Sequence, residues 1–419
     1  MDRLPYPLPG KRALVSRSLL LSLAAATLAG ASFAGEQLLV SGFSSNSVTL
    51  YDGGSGSFIR KLATLRGPQA MVDGPDGNLY VVEENRDKIV RFDGMTGARL
   101  ADFVFDDPDT GPDETGGLDG PTGMGFGADG HLYVASFNNS RVLRYHGTTG
   151  AFLGTFVATG SGSLSGPDTG TTFGPDGNLY VPSFNNNRVL RYDGTTGAFI
   201  DAFIPGQTGG LLRPRSLVFR DGFLYVASEG SHQVLRYDAV TGAFDSVFVD
   251  VNVGGLFSPT GMEFGSDGNL YVVSLFRNSV LRYDGTTGAF IDVFVAERSG
   301  GISAPTFLHF IPEFRLRMTA TNPPQVGEDL ELVVSGATPD DAVLFGFGTV
   351  AGDLPVPRCP GVLYGIADAR RGGRDRVEPD GTARLVGRIP ARLSGRTFLV
   401  QAVELSTCRV SELVELVIP

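Results

Sequence analysis

Short apolar runs separated by glycine- and aspartate-centred turns fill most of the chain, and the runs return in a fixed order. The fullest copy reads Leu179-Tyr180-Val181, then Val189-Leu190-Arg191-Tyr192, then Ala198-Phe199-Ile200. Runs this short, rich in Tyr, Val, Phe and Leu, predict strands, not helices. Good copies lie at 120–157, 166–204 and 258–295, and weaker ones at 67–104 and 213–249. Each predicts four strands. Strand one is Thr122-Gly123-Met124-Gly125-Phe126 and its equivalents. An Asp-Gly turn follows, at Asp76-Gly77, Asp129-Gly130, Asp176-Gly177, Asp221-Gly222 and Asp267-Gly268. Strands two and three are the Leu-Tyr-Val and Val-Leu-Arg-Tyr runs. A second turn, such as Asp193-Gly194-Thr195-Thr196-Gly197, leads to strand four.

A unit of this size cannot bury both faces of its sheet alone, so neighbouring copies must stack. The ends of the array say how. The first copy starts at strand two, Gln37-Leu38-Leu39-Val40, and lacks strand one. The last is a lone strand one, Ala304-Pro305-Thr306-Phe307-Leu308-His309-Phe310. Together they make one unit, and a ring shut by strands from both ends leaves no open sheet edge. The expected fold is all-β: a six-bladed β-propeller over 35–314, closed by N- and C-terminal strands.

The pattern Pro-x-Gly-Met-x-Phe, Asp-Gly-Asn-Leu-Tyr-Val, Arg-Val-Leu-Arg-Tyr-Asp resembles the NHL-repeat superfamily of six-bladed propellers. That group includes virginiamycin B lyase-like and SMP-30/gluconolactonase-like proteins. The resemblance covers about 36–314 and implies a fold more than an activity.

After Phe314 the period stops. Residues 315–419 alternate apolar and polar positions in short segments (330–334, 342–347, 383–389, 397–403, 413–418) between turn clusters such as Asn322-Pro323-Pro324. A small β-sandwich is expected here, resembling immunoglobulin-like accessory domains. Both cysteines, Cys359 and Cys408, lie in it.

Residues 1–34 read as a signal peptide. Arg3, Lys11, Arg12 and Arg17 precede an apolar stretch at 19–30, and Ser32-Phe33-Ala34 is a small-x-small cleavage site. A secreted or periplasmic bacterial protein follows, with no transmembrane segment after cleavage. In that compartment one Cys359–Cys408 disulfide is the simplest pairing. The net charge of −11 excludes nucleic acid as a partner. The expected partner is a protein or a glycan, and the expected state is a monomer.

In a four-stranded unit the loops between strands two and three share one side with the inter-copy loops, and the tight hairpins lie on the other. The 2–3 loop side carries the ligand-binding candidates: Glu83, Glu84, Asn138, Asn139, Asn185, Asn186, Glu229 and His232. Phe137 and Phe184 beside the asparagines could offer rings and amides to a glycan, or simply pack the loops. The repeated aspartates read as turn formers, and Arg91, Arg144, Arg191, Arg236 and Arg282 as a ladder pairing with them. One strand-one position varies through Val72, Gly125, Val218, Glu263 and His309. Glu263 and His309 are the catalytic candidates: they could bind a metal or share a proton, or form a buried hydrogen-bonded pair. The insertion at 105–119 carries Asp106, Asp107, Asp109, Asp113 and Glu114. These are oxygen ligands for Ca²⁺ or Mg²⁺, or else a solvated acidic loop.

A lyase-like activity, as the resemblance implies it, needs a metal with histidine and glutamate at the channel mouth. His131 and His146 fall on the hairpin side, leaving His232 and His309. A gluconolactonase-like reaction implies a divalent ion held from separate blades, with Glu83, Asn138, Asn185 and Glu263 to draw on. The leading expectation is a non-catalytic binding or scaffold protein, with a metal-dependent lactonase or lyase as the alternative.

Overall fold

The computed structural model describes residues 35–106, 113–338, 340–356, 359, 362–378 and 381–419. Strand makes up 51% of it and α-helix none of the described residues, so the chain is all-β. The repeats form a succession of antiparallel sheets. The first joins the two ends of the array: Pro305–Pro312, Glu36–Gly42, Ser47–Asp52 and Phe58–Thr64 lie side by side. Leu38 faces Phe310 and Val40 faces Leu308 across the seam. The strand missing from the first copy is thus supplied from beyond the last.

The second sheet holds Pro68–Asp73, Leu79–Glu83 and Lys88–Phe92. Its expected fourth strand pairs only at the isolated bridges Ile89–Val104 and Phe92–Arg99. The third runs Pro121–Phe126, Leu132–Ser136, Arg141–Tyr145 and Phe152–Val157, and the fourth Thr172–Phe173, Leu179–Ser183, Arg188–Tyr192 and Phe199–Ile204. The fifth spans Pro214–Arg220 to Phe244–Val249 and the sixth Pro259–Phe264 to Phe290–Val295, in the same order. The fourth sheet's first strand is short because Gly166-Pro167-Asp168-Thr169-Gly170 holds one residue more than Gly120-Pro121-Thr122-Gly123.

The recurrent letters have local jobs. Asp176 accepts from the Asn178 backbone N–H (3.1 Å) and from the Tyr180 hydroxyl (3.0 Å), while Gly177 takes the φ of +79° that the hairpin needs. Tyr180 packs edge-on between Phe203 of its own sheet (5.0 Å between centroids) and Phe219 of the next (4.8 Å). Tyr80, Tyr133, Tyr225 and Tyr271 are each held between two such phenylalanines. These clamps join neighbouring sheets. The arginine ladder meets expectation only in part: Arg91 lies 3.7 Å from the turn aspartate Asp76, but Arg191, Arg236 and Arg282 have their close partners on strand four. Arg191 Nη2 lies 2.5 Å from Asp201 but Nη1 is 3.8 Å from Asp176, and Arg282 repeats this with Asp292 and Asp267. Strand four runs antiparallel beside strand three, which brings its aspartate within bidentate reach.

Beyond Phe314 lie a three-stranded sheet (Arg317–Ala320, Asp329–Ser335, Ala383–Arg388) and a four-stranded one (Arg370–Arg376, Ala342–Gly348, Thr397–Glu404, Val414–Val417). They share an apolar cluster that includes Leu316, Leu332, Val334, Phe345 and Val400. Arg370–Arg376 carries no apolar alternation because it is an edge strand with mostly exposed side chains, which hides it from a periodicity reading. Cys359 and Cys408 are disulfide-bonded.

Candidate functional site

The proline that opens strand one is followed in three sheets by a threonine with one task. Thr122, Thr260 and Thr306 donate to the carbonyls of Pro167, Pro305 and Pro68 in the neighbouring sheet, at 2.9, 3.3 and 3.0 Å. The other three sheets break the rule at this position with Gln69, Arg215 and the inserted Asp168. These three, with Glu84 and Glu229 from the 2–3 loops, form a buried polar cluster. Arg215 Nη1 lies 3.2 Å from Asp168 Oδ1, and its Nε donates to Glu229 Oε2 at 2.5 Å. The Gln69 amide donates to Glu84 Oε2 at 2.5 Å.

Asp168 is fully buried and Glu229 only 7% exposed, so charge here is expensive unless paired. Burial raises the Asp168 carboxyl pKa, against the pull of Arg215 and the Thr169 N–H. Burial also raises Glu84, with Asp168 adding repulsion and Gln69 and Arg215 opposing it. For Arg215 burial works against the charge, but Asp168 and Glu229 outweigh it and the guanidinium stays protonated.

Beside the cluster is a recess of about 550 Å³ on the 2–3 loop side, lined by Phe184, Asn185, Glu229, His232, Phe257 and Phe276 among others. His232 stacks on Phe257 at 4.2 Å, and its Nδ1 accepts from the Ser258 N–H at 3.1 Å. Phe276 is 63% exposed, which leaves its ring open to a ligand. The Phe184 ring lies under the Arg215 guanidinium at 4.8 Å and also meets Phe137 edge-on.

Other sequence candidates serve the loops. Glu83 accepts from the Arg66 N–H at 2.8 Å, Asn138 donates to Asp119 at 2.7 Å and Asn139 to the Gly117 carbonyl at 2.7 Å. Asn186 donates to the Ser163 carbonyl and Asn185 to the Ser165 hydroxyl. Glu83, Asn138, Asn185 and Glu263 are therefore each committed to a different neighbour. In the acidic insertion, Asp107 and Asp109 lie outside the described residues. Asp113 accepts from the Thr115 N–H and hydroxyl and from the Gly117 N–H, a turn-capping role. Asp106 accepts from the Glu114 N–H. Among the described residues no three His, Cys, Asp or Glu side chains are grouped to hold a metal.

Glu263 and His309 do meet, on the hairpin side. His309 Nδ1 is 3.2 Å from Glu263 Oε2, and its Nε2 is 3.3 Å from Asp73 Oδ2, an ion-pair contact off the line of a good hydrogen bond. Burial disfavours the imidazolium, but the two carboxylates outweigh it and raise the pKa to about 10. An imidazolium uses both nitrogens as donors, so at neutral pH it offers a metal no lone pair and cannot act as a base. The arrangement matches a buried pair with a third member, Asp73. That aspartate stands where the other sheets have Phe126, Phe173, Phe219, Phe264 and Phe310, and the tyrosine it would clamp is replaced by Leu39. Sequence reading missed Asp73, Gln69, Asp168 and Arg215. Comparing the residue after each strand-one proline would have found the last three.

No family model and no curated protein matches the chain. Among solved structures, it is similar to a chain of a nidogen/laminin complex, with 16% identity, 67% of this chain and 100% of that one covered, and a TM-score of 0.53. A protein of unknown function from Bacteroides caccae gives 15% identity, 66% and 99% coverage and a TM-score of 0.52. Virginiamycin B lyase from Staphylococcus aureus gives 13% identity, 82% and 92% coverage and a TM-score of 0.40. Likeness at these identities speaks for fold alone, and only the first two, with TM-scores above 0.5, bear on it; the run of four-stranded antiparallel sheets is consistent with a propeller.

Proposed function

We propose that residues 35–314 form a closed six-bladed propeller, that 315–419 form an immunoglobulin-like sandwich, and that the protein is exported by a cleaved leader at 1–34. Its role is non-catalytic: the 2–3 loop side is a recognition surface for a glycan, and the sandwich is an accessory domain. Ring closure is supported by the shared first sheet and by Thr306, which ties its first strand onward to Pro68.

The observation that carries the glycan reading is the recess. Rings at Phe184, Phe257 and Phe276 sit beside the Asn185 amide and the His232 imidazole, a pairing of flat apolar faces with polar edges that suits a sugar ring. A glycan array probed with the purified protein tests it. Binding should be reproducible and should fall about tenfold or more when Phe257→Ala and Phe276→Ala are combined. An array without signal, or a signal indifferent to these changes, overturns the reading.

A further inference from the structure

The cluster next to the recess holds more negative charge than it neutralises. Three carboxylates, Glu84, Asp168 and Glu229, stand against two guanidiniums: Arg215, which pairs with Asp168 and Glu229, and Arg213 at the recess wall, 3.9 Å from Glu229 Oε1. Three buried oxygens there have no hydrogen-bond partner among the described residues: Gln69 Oε1, Asp168 Oδ2 and Thr169 Oγ1. Gln69 is 4% exposed, Asp168 0% and Thr169 3%, so none is freely solvated from the surface. A buried acceptor without a donor costs about 1–3 kcal/mol, more if charged. The threonine sheets show a cheaper solution at the same position. The cluster is therefore costly, acceptor-rich, net negative and adjoins the proposed ligand recess through Glu229 and Phe184.

We propose that this cluster binds a primary ammonium group, so that the ligand of this side is a glycan bearing free amino sugars. An ammonium is a compact charge with three N–H donors, and it suits acceptors supplied by more than one sheet. Here Gln69 comes from the second sheet, and Asp168 and Thr169 from the segment that opens the fourth. A divalent ion suits the cluster less well, because among the described residues no three His, Cys, Asp or Glu side chains are grouped to hold one. With the ammonium seated at the carboxylates, the sugar ring would lie over the aromatic recess.

This inference rests on the glycan reading above, and the experiment separates the two. A β-1,4-linked glucosamine trimer, its N-acetylated counterpart, n-butylamine and CaCl₂ are titrated calorimetrically into the full chain. Ionic strength is held constant at about pH 6, below the pKa of the amines. The glucosamine trimer should bind about tenfold or more tighter than the acetylated trimer. Glu84→Gln should abolish that preference, and so should Asp168→Asn. Asp168→Asn also disturbs a fully buried ion pair, whereas Glu84→Gln leaves the Asp168–Arg215–Glu229 pairing intact. His131→Asn, on the hairpin side, should change nothing. Equal binding of both trimers, insensitive to Glu84→Gln, overturns the ammonium site and leaves the glycan reading standing. Butylamine binding lost in Glu84→Gln, with neither trimer bound, supports the ammonium site and overturns the glycan reading. A response to CaCl₂ alone, or to nothing, overturns the ammonium site.

Discussion

His309 shows what one substitution in a repeat can build. Its imidazole is clamped by carboxylates from two neighbouring sheets, and each link depends on the ring carrying both protons. The free imidazole titrates near 6.5 and the folded one near 10. The bridge therefore contributes fully below pH 6.5 and is lost as the pH rises through 10. In urea unfolding, wild type should lose more stability between about pH 7 and 10 than His309→Gln. Identical pH profiles for the two proteins would show that the bridge contributes nothing. The candidate site was only half legible at this scale. Glu263 with His309 could be read from one variable column, but Asp73 could not, because it occupies a column that looks purely apolar elsewhere. Glu84 and Glu229 stood out as exceptions, while their partners Gln69 and Arg215 follow a proline in a short strand, where polar residues draw no attention.

Each sheet is made by its own turns, and every sheet but the first is held to the next by an aromatic clamp. Tyr180 is 1% exposed and fixed by two rings and one carboxylate. Tyr180→Ala should cost about 3–5 kcal/mol, as for other large buried rings. Tyr180→Phe should cost less, about 1.5–3 kcal/mol, for the lost hydroxyl bond to the Asp176 carboxylate. Chemical denaturation of the two variants distinguishes the packing term from the hydrogen bond, and equal losses would contradict the clamp. The repeats were readable because turn chemistry and alternation recur in register. What escaped were elements without a periodic signal: the edge strand Arg370–Arg376, and the fourth strand of the second sheet, reduced to two bridges.

For the molecule as a whole, the segment after Phe314 is tied back to the repeats. Arg409 donates to the Phe314 and Gly336 carbonyls and pairs with the fully buried Glu404, and the Arg315 N–H donates to the Met95 carbonyl. Near Arg409, burial first and then repulsion lower the Arg60 pKa to about 10. The disulfide closes a loop with a separation of 49 residues, which the chain-entropy model values at about 4 kcal/mol. Replacing both cysteines by serine should therefore lower the unfolding midpoint of the C-terminal segment. The transition of the repeats, followed by tyrosine fluorescence, should stay nearly in place. A common shift of both transitions would mean that the two parts unfold as one.

The seam between Glu36–Gly42 and Pro305–Pro312 also has a consequence in time. The Phe314 N–H bonds to the Gln37 side chain across 277 residues, so the earliest described strand waits for one made near the end of the repeats. Until then Leu38, Leu39 and Val40, wholly buried in the finished fold, present a bare apolar edge. Contacts this distant make folding slow, and a structure whose last step joins its two ends also opens slowly. The lifetime of the folded chain would then be governed by the rate at which that seam parts more than by the equilibrium stability of any one sheet.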